Sequence, residues 1–406
     1  MAQGQTKTRV WARRVESDSL RHPDHVMQAA LKTWRSLKGD PRQFELVDEM
    51  AQDRGPQLTL GYRNVIMLAA GFRRRTGPTG RPSRTQEPCV VFVVKTKWPS
   101  EPGREDDPQK IPPFLLAHVT VEGRRVRCAV PTDVQAQESF RGTRTMGNAI
   151  LQVGSAPIGG TGTAACAVQI GAGPSAMKLL LSAHHVFSPF PDVSAGTPQS
   201  GLPIRQLGAA NNTTAPQAFA TSSRWGGAMR ADGQPSFDAQ FAKVSDWDSA
   251  RDTVSALMLS TDSPYAGSAA QVMALGKADA FEILVPPNNP EWHGPQRLPT
   301  RAALDAVLSD SYGFDCDVRE NGAFVQRHLT FQRLIRMQLL ASSGALLSGD
   351  SGAAVVARRT DGAHTLIGLF IASGDDFAYA IPAWQLFDKS YYARLPGDGP
   401  IVPVLV

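Results

Sequence analysis

Short apolar runs separated by Gly, Ser and Pro clusters fill the chain from residue 147 onward. This pattern predicts many short strands, as in a barrel or sandwich, rather than long helices. The apolar run Met177–Leu181 ends in a polar step, and the stretch from Asp238 to Val244 alternates between apolar and polar residues. We therefore expect a mainly β domain over residues 147–395.

The first part of the chain has a helical pattern instead. Asp24 can cap a helix that runs to about Leu37. Asp40 and Pro41 start a second helix, because Pro fits the first helical position, and Gly55 is its expected end. The apolar faces of these two helices comprise Val26, Ala30, Leu31, Trp34, Leu37, Phe44, Val47 and Met50.

Residues 57–135 read as a small α/β module. Strands are expected at Arg63–Phe72 and Pro88–Lys97, followed by a hairpin that turns at residues 122–123. Pro286–Thr300, rich in Pro and Asn, is expected to be a surface insertion. The expected organisation is an N-terminal tail with helices (1–56), the module (57–135), a linker (136–146), the β domain (147–395) and a C-terminal tail (396–406).

Charge and composition narrow the function classes. The 406 residues carry a net charge of +5 and are 42% hydrophobic, which is ordinary globular composition. Such a small excess favours a solvated surface over nucleic-acid binding as the main role. The basic segment Arg73–Arg84 leaves binding of an acidic partner or nucleic acid open as an alternative, beside an ordinary solvated hairpin tip.

Location is inferred from what the sequence does not contain. The N-terminus has charges but no apolar core of a signal peptide, and no apolar run is long enough to span a bilayer. Four cysteines, none in metal-ligand spacing, are typical of a reducing compartment. We expect a cytoplasmic protein that needs no metal or organic cofactor and does not associate with membranes.

The sharpest chemical signal is the segment Leu347–Val356, which contains Ser351 between Asp350 and Gly352. A nucleophilic serine needs a tight turn that exposes its hydroxyl and lets backbone N–H groups face the reacting carbonyl. Gly349 and Gly352 allow the necessary backbone angles. The competing interpretation is an ordinary surface turn.

Two adjacent histidines, His184 and His185, follow the apolar run that ends at Ser182. A rigid strand end is where a general base can be held in place. The alternative is a structural histidine pair.

Between these segments, Asp238 starts an alternating strand. A carboxylate at this position can lie behind an imidazole and hold its tautomer. An ordinary turn aspartate is the alternative, and Asp232, Asp246 and Asp248 are nearby competitors for the role.

Together these segments resemble the trypsin-like, chymotrypsin-fold serine peptidases, whose triad has the chain order His, Asp, Ser. The resemblance implies a double β-barrel, with the base and acid in the first barrel and the nucleophile in the second. The family pattern around the base selects His185, with His184 as the alternative base. It also implies an oxyanion hole formed by the N–H groups of Gly349 and Ser351.

A narrower resemblance, to bacterial trypsin-like peptidases without signal sequences, covers most of the chain from residue 60. It is carried by Gly71–Arg73, Glu87–Phe92, Gly159–Thr163 and Ile367–Pro382. It implies that Ala345, Ala372, Ser373 and Gly374 bind substrate. With Ala345 at this position, the pocket that sets primary specificity would have no acidic residue at its floor. This disfavours cleavage after Lys or Arg.

The resulting functional hypothesis is an intracellular serine endopeptidase with a regulatory or defence-type role. Its partners would be a protein or peptide substrate and a regulatory protein. The alternatives are a catalytically idle scaffold that binds peptides and the basic-module binding protein described above. In secreted members of the family, the aspartate before the nucleophile pairs with an N-terminus created by cleavage. We expect Asp350 to be satisfied internally instead.

Overall fold

The structure is a computed structural model of the chain. It describes residues 24–404 except 63, 77–81, 96–109, 122, 137–150, 154–159, 172, 174–175, 190, 195–197, 207–216, 255–256, 287–296, 341–345, 348, 375, 393–394 and 398. The N-terminal tail and nearly all of the expected linker therefore lie outside the described residues.

The elements in chain order are as follows. The helices are α1 Asp24–Ser36, α2 Arg42–Gly61, α3 His184–Phe187, α4 Trp247–Thr253, α5 Ala269–Ala278 and α6 Ala383–Leu386. The strands are β1 Val65–Thr76, β2 Pro82–Val94, β3 Phe114–Val121, β4 Arg124–Ala136, β5 Leu151–Val153, β6 Gly160–Gly162, β7 Cys166–Ile170, β8 Met177–Ser182, β9 Pro203–Gln206, β10 Ala220–Gly226, β11 Gln240–Val244, β12 Phe281–Ile283, β13 Thr300–Leu308, β14 Tyr312–Glu320, β15 Ala323–Phe331, β16 Ile335–Leu339, β17 Ala354–Arg358, β18 His364–Ser373, β19 Phe377–Pro382 and β20 Ile401–Pro403.

The chain forms two compact units. The N-terminal unit comprises residues 1–139, 269–277 and 305–310, and the main unit comprises 140–268, 278–304 and 311–406. The expected domain boundaries remain predictions. Within the predicted tail, however, Ile401 of β20 pairs with Ile170 of β7 in the sheet of the main unit.

The N-terminal unit is a mixed sheet covered by helices. β1 pairs antiparallel with β2, and β2 runs parallel to β4. β3 and β4 form the predicted hairpin, and the end of β13 adds to β1 through residues 306–308. Helices α1 and α2, which the sequence analysis assigned to a separate segment, pack on β4 and β1.

The apolar helix faces form the core of this unit as predicted. Trp34, Leu37, Val47 and Met50 are buried, and the ring of Phe44 lies edge-on to Phe72 of β1 at 6.4 Å. Helix α2 does not end at Gly55 but continues to Gly61. Burial of Leu58 and Tyr62, the latter against Phe92, stabilises this extension. Tertiary packing thus outweighs the local helix-stop signal.

Part of the basic segment is neutralised internally. Arg74 donates to Asp305 at 2.7 Å, and the Asp305 side chain is 1% exposed. The backbone N–H of Arg74 also donates to the carboxylate of Asp133. Arg73 and Arg75 both approach Glu87. These three arginines are therefore engaged within their own unit.

We expect Asp305→Asn to lower the free energy of unfolding of the N-terminal unit by about 3–5 kcal/mol, because Arg74 would lose its buried counter-charge. The control is Glu87→Gln. Because Glu87 and Arg73 form a partly exposed pair, this substitution should lower the free energy of unfolding by less than about 1 kcal/mol. Urea unfolding followed by circular dichroism measures both. Equal, small effects would contradict a structural role for the buried pair.

The main unit contains two antiparallel β-structures. The first is an eight-stranded sheet in the order β20-β7-β8-β11-β10-β9-β5-β6. The second is a closed six-stranded barrel in the order β12-β17-β18-β19-β16-β13, in which β13 returns to pair with β12. The hairpin β14–β15 turns at Asn321 and Gly322, both with positive φ. The predicted fold class, mainly β and of the chymotrypsin-like double-barrel type, is confirmed.

Among the described helices, none is both long enough and apolar enough to cross a lipid bilayer.

Candidate active site

Strand pairing in the first sheet brings the histidines and Asp238 together. β8 pairs antiparallel with β11, with Ser182 opposite Gln240. Extending this register by two residues places Asp238 beside the chain that has just left β8. There the backbone turns into the one-turn helix α3, which begins at His184. Residues 53 apart in sequence thus become neighbours.

His185 and Asp238 form a two-point contact. The Nδ1–H of His185 donates to Oδ2 of Asp238 at 2.6 Å, and the backbone N–H of His185 donates to Oδ1 at 3.0 Å. Asp238 is 3% exposed. Burial alone would raise the pKa of Asp238, but the charge of His185 and the hydrogen bonds that it donates lower that pKa below its usual value. The carboxylate therefore stays ionised behind the imidazole.

His184, the alternative base, faces a different partner. Its Nδ1–H donates to the carbonyl oxygen of Gly227 at 2.9 Å, and the side chain is buried. Burial lowers the pKa of His184 to about 4, so the ring is neutral near pH 7. This position suits a structural role.

Ser351 lies in a turn with two glycines in the left-handed region. Gly349 and Gly352 each have φ of +89°. The N–H groups of Asp350, Gly352 and Ala353 donate to Leu347 O, Phe370 O and Asp350 O, respectively. Among the described residues, the N–H groups of Gly349 and Ser351 have no acceptor. These are the two donors that the family resemblance assigned to the oxyanion hole.

Thr163 connects this turn to the strand that leads to His185. Its N–H donates to Ser351 O at 2.9 Å, and its hydroxyl donates to Gly349 O at 3.0 Å. Its carbonyl oxygen accepts from the hydroxyl of Ser182, the last residue of β8, at 2.6 Å. Thr163 and Ser182 belong to the motifs described above, but this positioning role was not predicted. Small hydroxyl residues next to each motif were the available signal.

Asp350 is satisfied internally. Both of its carboxylate oxygens accept from the guanidinium of Arg297, and Oδ2 also accepts from Leu347 N. Arg297 lies in the segment that was expected to be a surface insertion, yet its side chain is 1% exposed. That expectation is wrong at this residue, because the counter-charge of Asp350 holds it in the interior.

The outer nitrogen of the His185 ring is enclosed. Nε2 is buried and has no hydrogen-bond partner among the described residues. A cavity of about 20 Å³, the size of one water molecule, lies beside His185 and Asp238. It is also lined by residues 314–317 of β14 and by Pro191, Met229 and Ile371. The hairpin β14–β15 was not predicted, although residues 321–322 carry a strong hairpin-turn signal.

Cys316 lines the same cavity but is a poor competing nucleophile. Burial raises the pKa of its thiol, and the nearby Asp238 raises it further. The buried Cys166 has its pKa raised to about 12 by the same effect. Protonated thiols react weakly, since the thiolate is the nucleophile.

The expected substrate-binding residues lie at the end of β18. Phe370 exchanges backbone hydrogen bonds with Gly352 and Ala353, directly after Ser351. Ala372 and Ser373 follow it in the strand, and Gly374 N donates to Phe377 O. Ala345 lies outside the described residues. No cluster of three or more His, Cys, Asp or Glu that could hold a metal occurs in the described part of the chain.

Comparison with known proteins finds little sequence similarity. No family model and no curated protein matches the chain. Among solved structures, the chain is similar to the murine norovirus NS6 protease at 12% identity, a TM-score of 0.23, and coverage of 50% of this chain and 82% of that chain. The narrower resemblance to bacterial trypsin-like peptidases has no support from these sequence comparisons.

We expect Gly352→Ala to disrupt the turn at residues 349–352. A Cβ there would lie 2.0 Å from Thr163 O and 2.3 Å from Ser182 Oγ. Gly362→Ala is the control, because Gly362 has a similar φ of +86° but open space around it. Backbone strain should lower the free energy of unfolding of the control by about 1–2 kcal/mol. Overpacking should lower that of Gly352→Ala by about 1–3 kcal/mol more. Equal denaturation midpoints would contradict the tight contact.

His184 should make the protein acid-labile. The unfolded chain binds a proton at His184 as pH falls through about 6.5, whereas the folded protein does not until about pH 4. Stability is therefore lost as pH falls from 7 to 4, by about 3 kcal/mol from this residue. His184→Asn, which keeps a donor for Gly227 O, should remove this part of the pH dependence. Exposed His328→Asn is the control. An unchanged pH slope in His184→Asn would contradict the burial effect.

Proposed function

We propose that the protein is a serine endopeptidase in which Ser351 is the nucleophile, His185 the base and Asp238 the orienting acid. The observation that carries the proposal is the two-point contact of Asp238 with His185. A glycine-bounded turn carries Ser351, and the N–H groups of Gly349 and Ser351 have no acceptor among the described residues, as an oxyanion hole requires.

The tautomer of His185 supports its role as base. Because Nδ1 carries the proton that binds Asp238, Nε2 is the nitrogen that can accept another. Nε2 takes the proton of Ser351 as the serine oxygen attacks the substrate carbonyl, and later returns it to the leaving amine. Asp238 stabilises the imidazolium formed in between.

The oxyanion formed by this attack needs donors that are already in place. Gly349 N–H and Ser351 N–H meet this need, since Thr163 and the Asp350 side chain fix the turn that carries them. Removing one such donor typically costs about 10²–10³ in rate. No step requires a metal or an organic cofactor. The substrate is a protein or peptide, and a regulatory partner would restrain the activity.

A catalytically idle, peptide-binding scaffold is the second candidate. The enclosed Nε2 of His185, with no partner among the described residues, favours it. Catalytic hydrogen bonds are often absent or long without substrate. A burst of product from an activated ester, equal in amount to the enzyme, supports turnover. Its absence favours the scaffold.

We expect wild-type protein to be labelled by a fluorophosphonate and to cleave peptides, both in a Ser351-dependent manner. Ser351→Ala should lose labelling, and Asp238→Asn should lower kcat about 10⁴-fold because His185 would lose its tautomer. Ser390→Ala, at an exposed serine, is the matched control. Substrate profiling by mass spectrometry on wild type and Ser351→Ala measures cleavage. Equal labelling of Ser351→Ala would refute the assignment.

A further inference from the structure

A buried ion pair lies directly before the nucleophile. Arg297 Nη1 donates to Asp350 Oδ1 at 2.7 Å, and Nη2 donates to Oδ2 at 2.5 Å. The two side chains are 1% and 0% exposed. Arg297 Nη1 also donates to Pro286 O at 3.3 Å. The parallel, bidentate geometry fixes the direction of the carboxylate as well as its charge.

The direction of that carboxylate determines the shape of the turn. Asp350 stands between Gly349 and Ser351, the residues whose N–H groups lack an acceptor among the described residues. Its side chain accepts from Leu347 N, while its backbone N–H donates to Leu347 O and its carbonyl accepts from Ala353 N. Moving the carboxylate would therefore change the backbone conformation of the turn and the directions of the N–H groups of Gly349 and Ser351.

Without the guanidinium, the carboxylate cannot remain where it is. A buried, ionised carboxylate that loses its counter-charge must reach water or take up a proton. Either change weakens the contact to Leu347 N and releases the turn. The glycines at 349 and 352 offer little resistance, since glycine adopts many backbone conformations.

We propose that Arg297 is a positioning residue for the oxyanion hole, an internal cation that holds the nucleophile turn in its reactive conformation. This inference rests on the proposed peptidase function. Because the cation is part of the same chain, 53 residues before Asp350, the turn needs no newly created N-terminus to be held.

The test compares Arg297→Gln and Arg297→Lys with wild type, using a peptide from substrate profiling. Arg297→Gln should lower kcat about 100-fold, with KM changed less than about threefold, because the donors act on the transition state. Arg297→Lys, which keeps the charge but lacks the planar fork, should lose at least about tenfold in kcat. The control is Arg301→Gln. Arg301 forms an exposed pair with Asp279, and this variant should leave kcat unchanged.

A chemical rescue separates positioning from general stability. Guanidinium ion added at millimolar concentration to Arg297→Ala should restore part of kcat, and added tetramethylammonium should not. If Arg297→Gln or Arg297→Ala fails to fold, as judged by circular dichroism, Arg297→Lys decides alone. A folded Arg297→Lys with wild-type kcat overturns the proposal.

The outcomes also distinguish this proposal from the peptidase assignment. Wild-type protein that shows no Ser351-dependent labelling refutes the peptidase function, and the role of Arg297 falls with it. A labelled wild type whose folded Arg297 variants keep their kcat refutes only the role of Arg297.

Discussion

The candidate site depends on one residue that does no chemistry, Thr163. Three hydrogen bonds, to Ser351 O, to Gly349 O and from Ser182 Oγ, join the turn at residues 349–352 to the strand that ends just before His184 and His185. Because the glycine at 352 has no side chain, the Thr163 carbonyl can approach the turn closely. These contacts hold the turn that carries Ser351 against the end of the strand that leads to His185.

Much of the fold could be predicted because its signals are local. The stripe containing Trp34 and Leu37 has helical spacing, and both residues are buried on α1. The Gly, Ser and Pro clusters that separate short apolar runs after residue 147 mark the turns that short antiparallel strands require. The histidine pair follows a strand and Asp238 precedes one, and the family resemblance then selected His185 over His184. Their assigned catalytic roles stay predictions.

The parts that escaped prediction arise from tertiary pairing. Arg297 lies in a Pro- and Asn-rich stretch whose composition indicates a surface loop, and only its buried partner Asp350 reverses that expectation. Helix α2 passes its local stop signal at Gly55 because Leu58 and Tyr62 find a sheet to pack on. The spacing of residues in the sequence does not predict such partners, because they come into contact only when the chain folds.

The burial of Arg297 and Asp350 has a consequence for the effect of ionic strength. Mobile ions screen exposed charges over about 8 Å at physiological salt, but they reach a fully enclosed pair much less. Charged groups on the surface lose their influence on other charges as salt is added. The turn at residues 349–352 should therefore keep its shape across the salt concentrations at which surface charges are screened.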